Sequence, residues 1–394
     1  NLKELTNNIL NPENKILENE VKENKKLIKK IDIIKKTNLS HIQKIFYLIH
    51  DCKKYGTLPF AGIARCAFIS KSIIDSLQKE KLLDAEEVKN FNMSIKTVSK
   101  KINNDYFNCF KKKNFKTFIL KYGHLRPSMY SISNKNYKEN HKYYFSQNIN
   151  FHNKIKTPSF NLSKKKKKEI NKFFKKKGII VSFEKFLMFA KYAIENRELS
   201  KLIFSKSIDE IFVNLKKLAK EIKIDFKNFE HLDIDIIKKS FNTLSQEKLK
   251  DVIITDVNKN KKYYQYTKNI RMPDVITSSS DFECFKELSS EENYITEKNI
   301  LGELIFLKKI NNFEKLRNKI VLIDSADPGY DFIFSYNIKG LITKYGGQNS
   351  HMSIRCNELN LPSIIGVGEK IYNNFIDSNK IYIDCKNKKF ETFF

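Results

Sequence analysis

Gly340-Leu-Ile-Thr343-Lys-Tyr-Gly346-Gly347-Gln-Asn349-Ser350-His351-Met-Ser-Ile-Arg355, running on to Leu361-Pro362-Ser-Ile-Ile-Gly366, is the stretch on which the reading of this chain turns. The apolar run Leu341–Thr343 predicts a strand that ends at Thr343. Gly346 and Gly347 permit a tight turn and the close approach of another molecule. Asn349 or Ser350 then caps a helix that fits between Ser350 and Leu359, with His351 in its first turn. A helix N-terminus offers unbonded N–H groups and the positive end of a dipole, which suit a phosphate group. A neutral imidazole is a good nucleophile near neutral pH. The spacing fits a histidine that carries a phosphoryl group. It fits equally well a capped helix whose exposed histidine has no chemical role.

The surroundings define a domain. Residues 301–394 hold seven of the eleven glycines. Short β-branched runs recur at Leu304–Phe306, Ile320–Ile323, Leu341–Thr343, Ser363–Ile365 and Ile381–Ile383. Strands joined by Gly-rich turns, with one helix between Ser350 and Leu359, predict a compact α/β domain. This part carries 13 basic and 10 acidic residues, so almost all of the net charge of +29 lies before residue 300. The change marks a boundary there. We expect a mostly helical domain over 1–273, a linker over 274–300 and the α/β domain over 301–394.

Within the helical part, residues 13–36 place Ile16, Leu17, Val21, Ile28, Ile31 and Ile34 near helical spacing. Residues 40–50 add a short apolar helix. Tyr55 to Arg65 predicts a turn leading into another, which runs to Leu77. Asp84-x-x-Glu87 has the capping-box pattern. Tyr122-Gly-His124-Leu-Arg126-Pro127 reads as a loop, and 135–168 as polar and irregular. A helical pattern returns from Ser182 to Ile222, broken by a second capping pattern at Ser207-x-x-Glu210. Residues 251–300 read as short apolar runs alternating with polar turns.

Composition excludes several classes. An apolar fraction of 41% is too high for a wholly disordered chain. Six cysteines without a CxxC pair give neither a disulfide scaffold nor a Cys-based zinc finger, and reduced thiols are expected. No run of about 18 uncharged apolar residues exists, which rules out a membrane-spanning helix. Residue 1 is Asn and no signal-type segment follows it, so the chain is expected to be cytoplasmic and a piece of a longer protein. The basic excess invites a nucleic-acid reading. Only six of the 74 basic residues are Arg, however, and Arg supplies the bidentate contacts to base and phosphate. Lys164–Lys168 and Lys175–Lys177 are read instead as solvated helix faces. The histidines His41, His50, His141, His152 and His231 show no metal-ligand spacing, so no metal site is expected.

The segment around His351 resembles the swivelling phosphohistidine domain, a β/β/α fold, of the PEP-utilising enzymes: PEP synthase, pyruvate phosphate dikinase and rifampin phosphotransferase. That family's pattern is a strand ending in Thr, then Gly-Gly, two residues, Ser or Cys, and the phosphorylated His. A Pro follows eleven residues later, here Pro362. Ala326-Asp327-Pro328-Gly329 resembles the loop that precedes the site. The resemblance implies that His351 is the phosphoryl carrier, supported by Thr343, Gly346, Gly347, Ser350 and Arg355. Two positions depart from the pattern. Asn349 stands where many members have Thr, and Asn357 stands where many have Arg, with Arg355 nearby.

The same resemblance implies that His351 is charged from Mg-ATP by an ATP-grasp module. Residues 1–300 contain only four glycines and no nucleotide loop, so that module and its Mg²⁺ are expected upstream of Asn1. The domain order resembles rifampin phosphotransferase, in which an acceptor domain precedes a C-terminal His domain. The segment His124-Leu-Arg126 resembles the Gly-His-Arg-Gly loop of such acceptor domains. It implies a small-molecule acceptor bound by His124 and Arg126, with Arg65 a further candidate. Arg197 and Glu198 read as a structural ion pair. Two alternatives stay open, a PEP synthase acting on pyruvate and a non-catalytic phosphohistidine carrier.

Overall fold

The structure, a computed structural model, describes residues 2–112, 114–145, 157–242, 245–270, 272–273, 275–283, 292–348 and 350–394. Asn349 and His152 lie outside them. The chain divides into two compact units, one of residues 1–118 and 153–214, the other of 119–152 and 215–394. An N-terminal helical region and a C-terminal α/β region are both present.

The first unit is helical. Helix Ile16–Lys36 buries Leu17, Val21, Asn24, Leu27, Ile31 and Ile34, a stripe at three- and four-residue spacing that is apolar but for Asn24. The turn expected over Tyr55–Arg65 is absent. His41–Asp51 continues through a π-helical stretch, Cys52–Thr57, into Leu58–Lys79 as one run. The wide turn is stabilised from outside: Asn24 Nδ2 donates to Tyr55 O at 3.1 Å. Gly56 is needed because a Cβ there would lie 2.9 Å from Phe204 Cβ. This continuous helix, His41–Lys79, is long and apolar enough to cross a membrane by length and composition alone. The exclusion drawn from uncharged runs was therefore too strict. Its side chains Ile45, Leu48, Ile63, Ile74 and Leu77 are buried in this unit.

The capping box at Asp84 and Glu87 forms as expected. The one at Ser207 does not, because Phe183–Glu221 is a single helix. Ser207 is buried within it and donates to Leu48 O at 3.3 Å, while Glu210 pairs with Lys35 at 2.7 Å. A hydroxyl that finds an acceptor on a neighbouring helix has no need to end its own. Lys164–Lys177 is a helix that buries Ile170 and Phe174 and turns its lysines largely outward.

The second unit is built on a seven-stranded sheet in the order β1-β5-β4-β3-β2-β6-β7. The strands are β1 Asn293–Ile295, β2 Asn299–Phe306, β3 Ile320–Ser325, β4 Gly340–Tyr345, β5 Ser363–Ile365, β6 Lys380–Asp384 and β7 Lys389–Phe393. Neighbours from β2 through β3 and β4 to β5 are parallel; β1, β6 and β7 pair antiparallel. In β3 and β4 the first four residues are fully buried, the continuous apolar pattern of a covered parallel sheet. Helix Gly368–Ile376 packs Tyr372 and Phe375 against Ile320, Leu322, Ile342 and Ile364. That helix, β1 and β7 go beyond the expected elements. So does Gln246–Thr267, a helix through a region read as turns, with Leu249, Ile253 and Val257 buried at four-residue spacing. Tyr137–Tyr144 is likewise helical, closed by a capping box of Asn136 and Glu139, inside a stretch read as irregular.

Two crossovers position the site. A 3₁₀ segment, Pro328–Tyr336, links β3 to β4, and helix His351–Glu358 links β4 to β5. Both start at the carboxyl ends of adjacent parallel strands, where ligands of open α/β sheets bind.

Candidate active site

The floor of the site is the end of β4. Thr343 is fully buried, and its Oγ1 accepts the Gly366 N–H at 3.0 Å. Its carbonyl oxygen accepts from Gly366 and Val367, at 3.0 and 3.1 Å. This stitches the turn after β5 to β4 itself, which runs two residues past the strand end expected at Thr343. Gly366 has φ +75°, and a Cβ there would lie 2.2 Å from Gly346 O. At Gly346, φ +144°, a Cβ would lie 2.6 Å from Ala326 Cβ. Gly347 differs, because nothing lies within 4 Å of the place its Cβ would take. Gly346, Gly347 and Gln348 are exposed, so the turn opens to solvent.

Ser350 is the helix cap. Its Oγ accepts the Ser353 N–H at 3.3 Å, and Ser353 Oγ donates to Gln348 O at 2.7 Å. His351 is the first helical residue and is 8% exposed. Its Nε2 lies 3.0 Å from Asp331 Oδ1. Arg355, one turn on, brings Nε to 3.5 Å from the same oxygen and Nη1 to 3.7 Å from Glu358 Oε2. Its guanidinium also stands 5.4 Å from the centre of the Phe334 ring. Burial pushes the Asp331 carboxyl up, but Arg355 and His351 beside it outweigh burial and hold it below its ordinary range. It is a carboxylate that receives the imidazole and the guanidinium together.

Asp331 sits on a firmly anchored segment. Asp327 Oδ1 accepts the Gly329 N–H at 2.8 Å and caps the 3₁₀ turns, while Ser325 donates to Asp327 Oδ2. The lobe that contains His124 and Arg126 holds the segment from the other side. Tyr137 OH donates to Gly329 O at 2.8 Å, Ser128 Oγ and Tyr330 OH are 2.8 Å apart, and Tyr336 OH donates to Tyr144 O at 3.0 Å. A Cβ on Gly329 would lie 1.6 Å from Arg126 O, so only glycine fits under that loop of the lobe.

His351, Thr343, Gly346, Gly347, Ser350 and Arg355 are thus gathered at the carboxyl end of β4 and in the crossover that follows it, and Asp331 joins them from the segment after β3. Arg126 is in the same unit, buried, and donates through Nη1 to Asn134 O at 3.0 Å. His124 is half-buried in the same lobe. Arg65 belongs to the other unit, exposed on its helix beside Glu20. Glu198 accepts the Val98 N–H at 3.0 Å, and Arg197 lies over the Phe68 ring. Asp331 and Glu358 escape the motif reading. The signals available were a carboxylate four residues into the segment after β3, and the three-residue spacing of Arg355 and Glu358. Among the described residues, no group of three or more His, Cys, Asp or Glu side chains is arranged to hold a metal ion.

Residues 316–388 match the family model described as PEP-utilising enzyme, mobile domain. No curated protein matches the chain. The match is to that mobile domain alone, and it takes in the segment that holds Asp331, His351 and Arg355.

Proposed function

We propose, from the premise that residues 316–388 are the mobile domain of a PEP-utilising enzyme, that His351 carries a phosphoryl group between two sites. The observation that carries this reading is His351 itself. It is the first residue of a capped helix, behind an open Gly-Gly turn, inside the matched segment. A lone pair of the imidazole attacks phosphorus, and the bond from phosphorus to the donor's leaving oxygen breaks with its electron pair. The N–H groups at the helix start stabilise the charge on the transferred group, and Arg355 supports the site by holding Asp331. Catalysis rests on positioning and charge, as in other phosphoryl transfers.

In this reading the donor is Mg-ATP, held by an ATP-grasp module in cis or in trans. The acceptor is a small molecule, with His124 and Arg126 as the candidate contacts. The test is intact-mass analysis after incubation with Mg-ATP in the presence of that module, with His351→Ala alongside. An acid-labile gain of one phosphoryl group in the natural protein, absent from the variant, is the expected result. No gain while the module demonstrably binds ATP would sink the proposal.

A further inference from the structure

We infer that Asp331 is a positioning residue that holds the unloaded His351 down against the 3₁₀ segment, and that a phosphoryl group expels the imidazole toward the open side of Gly347. Asp331 thereby sets the rate at which His351 is loaded. The inference rests on the phosphohistidine reading and names what regulates that same site.

Charge carries the argument. The side chains of His351, Asp331, Arg355 and Glu358 are each under one tenth exposed. With a neutral imidazole they sum to one negative charge. A phosphoryl group brings about two more. On Nε2 it would occupy the place of the Asp331 carboxylate, and on Nδ1 it would stand one ring's width from it. Like charges at that separation in a poorly solvated site repel strongly, and Arg355 is already shared between two carboxylates. The loaded ring cannot stay where the unloaded ring sits.

The anchoring decides which side moves. Asp331 lies in a segment capped by Asp327 and fastened through Tyr137, Ser128 and Tyr336. His351 lies at the end of a helix, next to an exposed turn with empty space over Gly347. Rotation of the His351 side chain into that space relieves the repulsion without disturbing the sheet.

The test bypasses the natural donor. Potassium phosphoramidate phosphorylates a histidine directly: the imidazole forms the N–P bond, the P–N bond of the reagent breaks, and ammonia leaves with the proton. Loading of His351 is followed by intact mass and peptide mapping in the natural chain, in Asp331→Asn and in His351→Ala. The expected result is loading roughly tenfold faster in Asp331→Asn and none at this site in His351→Ala. Equal rates would overturn the inference. So would slower loading in an Asp331→Asn variant that is folded at the assay temperature, since Asp331 would then assist attack. If that variant does not fold, the loaded natural chain decides. Its ³¹P signal is expected to relax faster when a soluble gadolinium chelate is added, and a signal indifferent to the chelate would mean a buried phosphoryl group and overturn the proposal. Because phosphoramidate replaces ATP, a failure here is separate from a failure of the ATP-dependent reading.

Discussion

Asp331 Oδ1 and His351 Nε2 are 3.0 Å apart although the residues are 20 positions apart in sequence. The sheet makes this contact. β3 and β4 are adjacent and parallel, in a register that pairs Ile323 with Thr343. What leaves the carboxyl end of β3 therefore stands beside what leaves the carboxyl end of β4. The first element presents a carboxylate and the second an imidazole. Arg355 closes the group because one helical turn returns it to the face of His351.

Arg355 is the residue whose loss this arrangement tolerates least. Its side chain is 4% exposed and lies between the carboxylates of Asp331 and Glu358. Arg355→Met leaves both without their guanidinium partner in a poorly solvated site, at an expected cost of about 3–5 kcal/mol. Arg355→Lys is expected to recover only part, since an ammonium group cannot face two acceptors and an aromatic ring as a planar fork does. Urea denaturation of the two variants beside the natural protein measures both. Equal stability of Arg355→Met and the natural protein would show that the pairings contribute nothing.

Acid provides a second view of the same cluster. Asp331 is held below its ordinary value by Arg355 and His351 in spite of burial. A depressed folded value means that its stabilising contribution is fully present above the ordinary carboxylate range. It is lost as pH falls through that range toward the depressed value. The stability gap between the natural protein and Asp331→Asn is therefore widest near neutrality and narrows in acid. Urea midpoints taken at several pH values test the sign, and a gap that widens in acid would contradict it.

The sequence carried the strand runs and the capped histidine because these are local patterns. β-Branched runs read as strands wherever they fall, and Ser350 declares a helix start through its own hydroxyl. It did not reveal Asp331, whose role exists only once β3 and β4 lie side by side. The failures elsewhere share that cause. Residues 55–65 read as a turn, but Asn24 from another helix satisfies the π-helical carbonyl of Tyr55 and the helix continues. Ser207 and Glu210 have a cap's spacing, but their partners, Leu48 and Lys35, lie on other helices. β7 alternates half-buried and exposed residues in Lys389–Phe393, a weak signal for an edge strand.

The three glycines of the site separate by what surrounds them. Gly366→Ala forces a side chain into the left-handed region and onto Gly346 O. The backbone strain alone is about 1–3 kcal/mol, and the clash adds to it while pushing the Gly346 turn away from Thr343. Gly347→Ala meets open space at an ordinary φ, so its effect on stability is expected to stay within about 0.5 kcal/mol. Thermal midpoints of the two variants should part clearly. Comparable losses would mean that the turn, rather than the contact between Gly366 and Gly346, sets the cost.

Tyr137 links the lobe to the site. Its ring is fully buried, and its hydroxyl donates to Gly329 O, two residues before Asp331. Tyr137→Phe keeps the ring and its packing on Tyr144 but leaves that carbonyl without this donor, at an expected cost of about 1–3 kcal/mol. The loss should be local as well as global. Amides of residues 329–336 are expected to exchange faster with solvent, because one of three ties between lobe and segment has been cut. Tyr143→Phe is the control, since Tyr143 is 40% exposed, and it is expected to change stability by less than about 0.5 kcal/mol. Hydrogen exchange followed by mass spectrometry reads both variants. If Tyr137→Phe lowered the thermal midpoint with exchange at 329–336 unchanged, the lobe would be packing beside the segment without fixing it. Asp331 would then owe its position to Asp327 and the strand end alone.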